Sequence, residues 1–579
     1  MLAVIGLLTV IMIIVMCGII TKKHKPVPEL VILELDLEKP LVEYVPEDPL
    51  AQVSLREATG VLDVVEALER ARSDDRVLGL VAKVGAAPMG LATIQELREA
   101  VRRFAEKDKF TFAYAESFGE FGPGNGAYYL ATAFDEIYLQ PSGDVGLTGL
   151  MYESPFVRGT LDKLHIEPRI DQREEFKNAK NIFTETEYTE EHREAVETLM
   201  NTQFRQIVRG ISKARGISEE EVTRLADGGP ISGNEAVEAN LVDKLLYRDQ
   251  VYERVKSRAE AAELLYLQEY LRRAGSPHKK GPVIALIYGV GGVHRGKSEY
   301  NFLSRSPSMG SDTVAAAFRE AVADESVSAI LFRVNSPGGS YVASDTIWRE
   351  ADNARQAGKP VIVSMGDVAG SGGYFVAMSA NKIVAQPGTI TGSIGVVGGK
   401  FLTRQFWQEH LGVSWDEVHT SSNAAMWAST HDYTPQQWEK LQALLDRVYE
   451  DFTTKAAQGR GLEKEKMMEV AKGRIWGGED AKKLGLVDEL GGYDTALRLA
   501  RTEAGLMPDA EITLKVFPRP RNPIEQLLKI QPESSEPKAT EAAMRQVMEK
   551  FGPMYEFARQ TGLLEETDVL TMPPLKAIW

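Results

Sequence analysis

The first 20 residues form one continuous apolar run without a charge, and no later stretch of the chain has one of similar length. About 20 apolar residues are enough to cross a bilayer as a helix. The run has no basic segment before it and no small-x-small cleavage site, so residues 1–21 are predicted to be an uncleaved membrane anchor rather than a cleaved signal peptide. Lys22, Lys23 and Lys25 follow the run, and the positive-inside rule then favours a cytoplasmic location for the rest of the chain.

Beyond the anchor, short apolar runs alternate with amphipathic stretches. The clearest runs predict buried strands over residues 283–290, 329–335, 361–365 and 382–386. The stretches between them have helical composition, so the alternation predicts an α/β fold with a mostly parallel sheet covered by helices. After Pro518 the chain becomes proline-rich and then polar, which indicates a linker and tail over residues 518–579.

The chain also repeats itself once. One segment reads GNGAYYLATAFDEIYLQPSGDVGLTGL and another reads GSGGYFVAMSANKIVAQPGTITGSIGV, which places Tyr128 opposite Tyr374 at an offset of 246 residues. Further along, Leu241 matches Leu486 at an offset of 245. A nearly constant offset over more than a hundred residues indicates a tandem duplication.

Length, charge and cysteine content narrow the class of protein. A chain of 579 residues is too long for one core, and the repeat divides it into halves at residues 27–275 and 276–517. The formal net charge of −16 argues against nucleic-acid binding. The single cysteine, Cys17, excludes an intramolecular disulfide and a cysteine-built metal site.

Two segments of the second half have the composition of a catalytic site. NSPGGS, at 335–340, directly follows a predicted strand, and its glycines would let backbone N–H groups approach an oxyanion. AGSGG places Ser371 before a helical pattern, where unpaired N–H groups and the helix dipole stabilise negative charge. The segment resembles a nucleophile elbow, although Ala369 replaces its first glycine. The ordinary alternatives are a strand-to-helix turn and an N-cap serine.

A nucleophilic serine needs a base, and the sequence offers two kinds. A Ser-His-Asp arrangement would draw on a histidine downstream of Ser371, although no spacing supports any of the three candidates: His410, His419 and His431. The alternative is a lysine that burial keeps neutral.

The segment REEFKNAKNIF of the first half contains Lys177 and Lys180 among apolar residues. On a helix the two lysines would share a face, and each would lower the pKa of the other. The alternative is a solvated lysine pair. The corresponding stretch of the second half, 401–439, has no lysine, and the first half has Asn125 opposite Ser371 and AAPMG in place of the glycine loop. The serine half therefore lacks the lysine, and the lysine half lacks the serine.

Taken together, RVNSPGGS, AGSGGYF and TGSIGV make the chain, over roughly residues 30–504, resemble the signal peptide peptidase A family of serine-lysine proteases in its long, duplicated form. The resemblance implies a ClpP/crotonase-like fold in each half, Ser371 as nucleophile and Lys177 as general base. Lys180 is the fallback, because FKNAKNIF departs from the family pattern around the lysine.

The resemblance also assigns the supporting groups. Ser393 would orient the lysine, and the backbone N–H groups of Gly339 and Gly372 would form the oxyanion hole. No metal or cofactor is implied.

The function implied is a membrane-anchored serine endopeptidase that degrades hydrophobic peptides, above all cleaved signal peptides left in the membrane. The family further implies a homotetramer in the bacterial inner membrane with its catalytic part outside the cytoplasm, against the orientation that the basic residues favour. Two other functions stay open: a crotonase-like acyl-CoA enzyme, and a catalytically inactive scaffold that binds membrane proteins.

Overall fold

The computed structural model describes residues 25–45, 51, 54–55, 58–85, 88–259, 261–301, 306–519, 570–571 and 576–578. The predicted anchor and most of the predicted tail lie outside these residues. Within the described ranges, no helix has both the length and the apolar character that crossing a bilayer requires.

The first half alternates strands and helices. Its strands are β1 (Val31–Asp36), β2 (Leu41–Val42), β3 (Thr59–Gly60), β4 (Val77–Lys83), β5 (Phe110–Ala115), β6 (Glu136–Leu139), β7 (Asp144–Val145), β8 (Met151–Glu153), β9 (Glu167–Gln172), β10 (Ile231–Ser232), β11 (Lys244–Leu245) and β12 (Glu263–Tyr266). Its helices are α1 (Val61–Arg72), α2 (Leu91–Ala105), α3 (Asn125–Ala131), α4 (Arg158–Lys163), α5 (Asn181–Thr184), α6 (Glu190–Arg215), α7 (Glu219–Gly228), α8 (Gly233–Glu238), α9 (Arg248–Arg258) and α10 (Leu267–Ala274), with a 3-10 helix at Asn178–Lys180.

The second half follows the same plan. Its strands are β13 (Val283–Val290), β14 (Val293–His294), β15 (Tyr300–Asn301), β16 (Ser306–Pro307), β17 (Met309–Gly310), β18 (Val327–Ser336), β19 (Gly338–Gly339), β20 (Val361–Gly370), β21 (Lys382–Ala385), β22 (Ile390–Gly392), β23 (Val397–Leu402), β24 (Ile475–Gly477), β25 (Glu489–Leu490) and β26 (Thr513–Phe517). Its helices are α11 (Ser311–Ala323), α12 (Tyr341–Gln356), α13 (Gly372–Phe375), α14 (Arg404–Leu411), α15 (Pro435–Arg460), α16 (Lys464–Ala471), α17 (Gly478–Lys483) and α18 (Tyr493–Glu503). Two further strands are β27 (Leu570–Thr571) and β28 (Lys576–Ile578).

Each half builds one main sheet. The first has the order β11-β6-β5-β4-β1-β12 and is parallel throughout. The second has the order β24-β22-β20-β18-β13-β26, with β21 and β25 branching from β20. Its pairs are parallel except β22 with β24. The strands and helices predicted for the second half are found as β13, β18, β20, β21, α11 and α12, so the predicted mostly parallel α/β architecture is confirmed.

The longest helices show the repeat most clearly. Helices α6 and α15 both have 26 residues. The N-cap threonines, Thr189 and Thr434, accept a hydrogen bond from a first-turn backbone N–H, and the helices end at glycines in the left-handed conformation, Gly216 and Gly461. The same start and stop signals therefore fix both helices.

The aligned tyrosines also make the same contact in each half. The hydroxyl of Tyr128 donates to the Leu241 carbonyl at 2.7 Å, and that of Tyr374 donates to the Leu486 carbonyl at 3.0 Å. Both tyrosines are fully buried. Each hydrogen bond ties the helix that carries the tyrosine to the loop that leads into the last strands of its half.

The two halves are joined by strand pairing and by buried charge. Strand β9 of the first half pairs antiparallel with β23 of the second over six residues. Arg333 on β18 is fully buried and forms salt bridges with Glu43 and Glu96 of the first half, both at 2.9 Å. These contacts hold the lysine half against the serine half.

Replacing Tyr128 or Tyr374 by Phe tests the repeated contact. Each substitution leaves a buried carbonyl without its donor, which costs about 1–3 kcal/mol. We expect both variants to unfold at lower urea concentration than the wild type, whereas Tyr266→Phe, at an exposed position, serves as a control and leaves the midpoint unchanged. An unchanged midpoint for both buried variants would contradict this reading of the repeat.

Candidate active site

Ser371 stands at the junction of strand β20 and the short helix α13. Its backbone has φ +52° and ψ −116°, which a residue with a side chain adopts only when its surroundings hold it there. Its N–H donates to the Gly392 carbonyl at 2.8 Å, and the residue is fully buried. The strand-turn-helix context of a nucleophile elbow is therefore present without the first glycine. Helix α13 has only four residues, so its free N–H groups, rather than a large macrodipole, would stabilise negative charge.

Lys177 reaches this serine from the first half. It lies in the turn between β9 and the 3-10 helix and is fully buried. Its Nζ lies 2.8 Å from the Oγ of Ser371, 3.0 Å from the carbonyl oxygen of Ser393 and 3.1 Å from the Oγ of Ser393. The structure thus brings together, within one chain, the two residues that the halves contribute separately.

Burial lowers the pKa of Lys177 well below its ordinary value, because the charged amine would lose its hydration. The prediction that Lys180 lowers the pKa of Lys177 is wrong. Lys180 does not share a helix face with Lys177; its Nζ lies 3.4 Å from the carboxylate of Asp171 and it is partly exposed. Desolvation alone therefore accounts for the lowered pKa of Lys177.

Ser393 follows strand β22 in the left-handed conformation, with φ +51°. Its N–H donates to the Arg474 carbonyl at 2.7 Å, and it is fully buried. This anchor turns both oxygens of Ser393 toward the Nζ of Lys177. Ser393 can therefore fix the direction of the amine and accept hydrogen bonds when the amine is charged.

Two glycines make room for the lysine. A Cβ on Gly395 would lie 3.1 Å from the Cδ of Lys177, and a Cβ on Gly473 would lie 2.5 Å from its Cβ and backbone N. Gly395 lies in the TGSIGV motif. Gly473 was missed by sequence reasoning because it follows α16, far from every motif, and nothing in its neighbourhood indicates a contact almost 300 residues away.

The predicted oxyanion donors are neighbours. Gly339 has φ +150°, and a Cβ there would collide with the Val293 carbonyl, so only glycine fits. A Cβ on Gly372 would lie 3.0 Å from the N of Gly339. Since Gly372 begins α13, its N–H has no partner within the helix. The backbone nitrogen of Gly339 therefore lies close to Gly372, the residue that follows Ser371.

The three candidate histidines lie elsewhere. His410 stacks on His165 with ring centroids 5.3 Å apart. The Nε2 atoms of His419 and His431 lie 3.5 and 2.9 Å, respectively, from Oε1 of Glu417. The contacts of these described residues do not include Ser371, so the geometry offers the lysine, and no histidine, as its base.

In the first half, Asn125 occupies the place of the serine and has a structural role. Its Oδ1 accepts from the N–H groups of Thr148 and Gly149 at 3.0 Å, and its Nδ2 donates to the Gly149 carbonyl at 2.8 Å. All of its hydrogen bonds thus serve the adjacent loop. Among the described residues, no group of three or more His, Cys, Asp or Glu side chains could hold a metal ion.

Comparison with known proteins adds to this geometry. The model of peptidase family S49 matches residues 107–262 and 353–507, one segment in each half, which confirms the tandem duplication. Serine protease SPPA, chloroplastic, from Arabidopsis thaliana is 30% identical over 470 residues, covering 79% of this chain and 68% of the relative. Protease 4 from Salmonella typhi is 32% identical over 462 residues, covering 77% of this chain and 72% of the relative. A solved mutant ClpP1 from Listeria monocytogenes has a TM-score of 0.23 and 16% identity, covering 36% of this chain and 92% of that one, a similarity too low to establish a shared fold.

The lysine assignment predicts how Ser371 reacts with a fluorophosphonate. Lys177→Met removes the group 2.8 Å from the serine oxygen, so we expect labelling of Ser371 to slow by a factor of about 10² or more. Lys180→Met is the matched control and should label at the wild-type rate, because its amine faces Asp171. If only Lys180→Met slowed the labelling, Lys180 rather than Lys177 would be the general base.

The pH dependence of the same reaction has a definite sign. Only neutral Lys177 can take the serine proton, so the labelling rate should rise with pH and reach a plateau. Because burial lowers the pKa of Lys177, the plateau should begin well below pH 10.4, the ordinary lysine pKa. A rate that is still rising at about pH 10 would show a lysine with an ordinary pKa.

Proposed function

Because the chain belongs to peptidase family S49 and is a serine protease, we propose that it is an endopeptidase with Ser371 as nucleophile and Lys177 as general base. The observation that carries the proposal is the 2.8 Å contact between a buried amine of the first half and a buried hydroxyl of the second. Lys180, the fallback base, has no such contact, since its amine faces Asp171.

The proposed reaction follows from this arrangement. Neutral Lys177 takes the proton of Ser371 as its Oγ attacks the peptide carbonyl, and the N–H groups of Gly339 and Gly372 stabilise the oxyanion. The new ammonium is buried, so it depends on the two oxygens of Ser393 at 3.0 and 3.1 Å. The ammonium then gives its proton to the leaving amine, and an acyl-enzyme remains. Lys177, neutral again, takes a proton from the water molecule that attacks the acyl-enzyme and returns it to the Oγ of Ser371.

The pairing of a tail strand with β19 supports peptide binding at this edge. The backbone of β27 pairs antiparallel with β19, which carries Gly339. This edge therefore accepts an extended strand directly beside the oxyanion donors. A peptide substrate bound by the same strand addition would bring one of its carbonyl groups near Ser371.

We also propose where the enzyme acts, which peptides it degrades and how it folds and assembles. The apolar run at residues 1–21 supports a membrane anchor, and an anchored protease is well placed to degrade hydrophobic peptides such as signal peptides left in a bacterial inner membrane. The mostly parallel sheets support a ClpP/crotonase-like fold in each half, and the glycine loop adds support for it in the second half. The family resemblance supports a homotetramer with its catalytic part outside the cytoplasm.

The nucleophile is tested with Ser371→Ala and an apolar peptide ester as substrate. We expect hydrolysis to fall by a factor of at least about 10³, with the melting temperature and the oligomer size unchanged. Ser257→Ala, at an exposed position away from the site, is the control and should keep full activity. Mass spectrometry of the fluorophosphonate-treated wild type should locate the label on Ser371.

Other outcomes separate the alternative functions. Undiminished hydrolysis by Ser371→Ala would overturn the nucleophile. A protein that resists the probe and binds acyl-CoA would be a crotonase-like enzyme, and one that resists the probe and cleaves nothing would be a scaffold.

The position of β27 predicts competition between tail and substrate. In a chain that ends after Arg519, the edge of β19 is free, so we expect a lower KM for a peptide substrate and an unchanged kcat. Unchanged KM in steady-state kinetics would show that the tail does not occupy the substrate edge in solution.

A further inference from the structure

The strand that leads to Ser371 contains an irregularity. The register between β18 and β20 shifts at Asn335, so residues 366–368 of β20 face this one residue. Such a bulge bends a strand and redirects the side chains that follow it. Here it lies between the sheet core and the nucleophile, so its shape decides where Ser371 points.

Asn335 connects this bulge to the glycine loop. Its Oδ1 accepts from the N–H of Val368 at 3.1 Å, and its Nδ2 donates to Glu43 of the first half at 3.1 Å. Asn335 also stands three and four residues before the glycines of β19. One side chain thus spans the two segments whose spacing forms the site.

Asp367, inside the bulge, reaches into the first half. Its Oδ1 accepts from the backbone N–H of Thr93 at 2.9 Å, and its Oδ2 accepts from the Thr93 hydroxyl at 2.7 Å. Thr93 is the third residue of α2, where a backbone N–H has no partner within the helix. Asp367 therefore caps a helix of the other half.

The equivalent helix of the second half caps itself. Ser340 is the N-cap of α12 and accepts from the N–H of Ala343, the third residue of that helix. The N-cap of α2 is Gly90, which has no side chain to do this. The cap lost from the first half is thus replaced by a carboxylate of the second.

Because Gly90 has no side chain, it also leaves room for the carboxylate of Asp367. A Cβ at Gly90 would lie 2.1 Å from the Cγ of Asp367, closer than any real contact. The two carboxylate oxygens of Asp367 would lie 2.2 and 2.5 Å from the same Cβ. A side chain at position 90 and the carboxylate of Asp367 are therefore mutually exclusive.

One turn later, α2 is tied to the second half again. Glu96 accepts from the guanidinium of Arg333 at 2.9 Å, and the same guanidinium binds Glu43 through two nitrogens at 2.9 and 3.1 Å. Arg333 is two residues from Asn335 on β18. Helix α2 is thus fixed against the β18 and β20 segments at two points, and Asp367 is the point nearest to Ser371.

Resting on the proposed function, we propose that Asp367 is a positioning residue: by capping α2 across the two halves, it holds the bulge that aims Ser371 at the oxyanion donors. It touches neither substrate nor reacting atoms. Its loss should therefore disturb the geometry of attack and leave the peptide-binding edge at β19 intact.

The first test is Asp367→Ala, assayed on an apolar peptide ester. A displacement of about 1 Å at a reacting group costs about 10²-fold, so we expect kcat to fall about 10- to 100-fold, with KM changed less than about twofold. Asp367→Asn keeps an oxygen for the Thr93 N–H and should stay within about threefold of the wild type. An Asn variant as slow as the Ala variant, or an Ala variant with wild-type kcat, would overturn the proposal.

The second test separates positioning from stability. In Gly90→Ser/Asp367→Ala, the serine can cap α2 from within, as Ser340 caps α12, and the carboxylate that would clash with it is gone. We expect the melting temperature to recover while kcat stays low, because α2 then no longer holds the bulge through Asp367, whereas the contact between Asn335 and Glu43 is the same in both variants. Recovery of kcat together with the melting temperature would show that Asp367 serves stability alone.

Ser218→Ala is the matched control for cap removal. Ser218 caps α7 far from the site, so its loss should lower the melting temperature and leave kcat unchanged. Ser371→Ala is run beside these variants. If it keeps activity, the proposed function fails, whereas an inactive Ser371→Ala with a fully active Asp367→Ala contradicts only the role of Asp367.

Discussion

A buried amine 2.8 Å from a buried hydroxyl is the contact on which the rest of the structure depends. An isolated charged lysine in an apolar interior is costly, so burial lowers the pKa of Lys177 and favours its neutral form, the form that can accept a proton. The same burial makes the ammonium formed in the reaction expensive. The two oxygens of Ser393 are the only side-chain and backbone acceptors, apart from Ser371, that the described contacts of this amine include.

Because the two residues proposed to react come from different halves, catalysis by them depends on the alignment of the halves. The β9–β23 pair and the salt bridges of Arg333 hold the halves together on a large scale. Asn335 and Asp367 act closer to the serine, at the bulge of β20. Duplication made this division possible: each half kept its sheet, its long helix and its buried tyrosine, while the serine was replaced by a structural Asn125 in one half and the lysine is absent from the other.

The sequence was enough to predict the duplication, the mostly parallel α/β architecture and the strands around the glycine loop, because apolar runs and start and stop signals are local. The reciprocal absence of serine and lysine between the halves indicated a serine-lysine pair, and the family resemblance placed Lys177 before Lys180 as its base. It was wrong about Lys180 lowering the pKa of Lys177, since two lysines three residues apart share a face only on a regular helix, and the chain turns here. Gly473 and Asp367 could not be found, because each owes its role to a contact with a residue more than 270 positions away in the chain.

Burial against Ser371 should keep Lys177 neutral at physiological pH. The most direct test is an NMR titration of the folded protein with ¹³Cε-labelled lysine, in which Lys177→Met identifies the signal of Lys177. We expect one lysine signal, missing from that variant, to titrate well below the others. If every lysine titrates near the ordinary value of about 10.4, the amine is charged at physiological pH and this account of the base is contradicted.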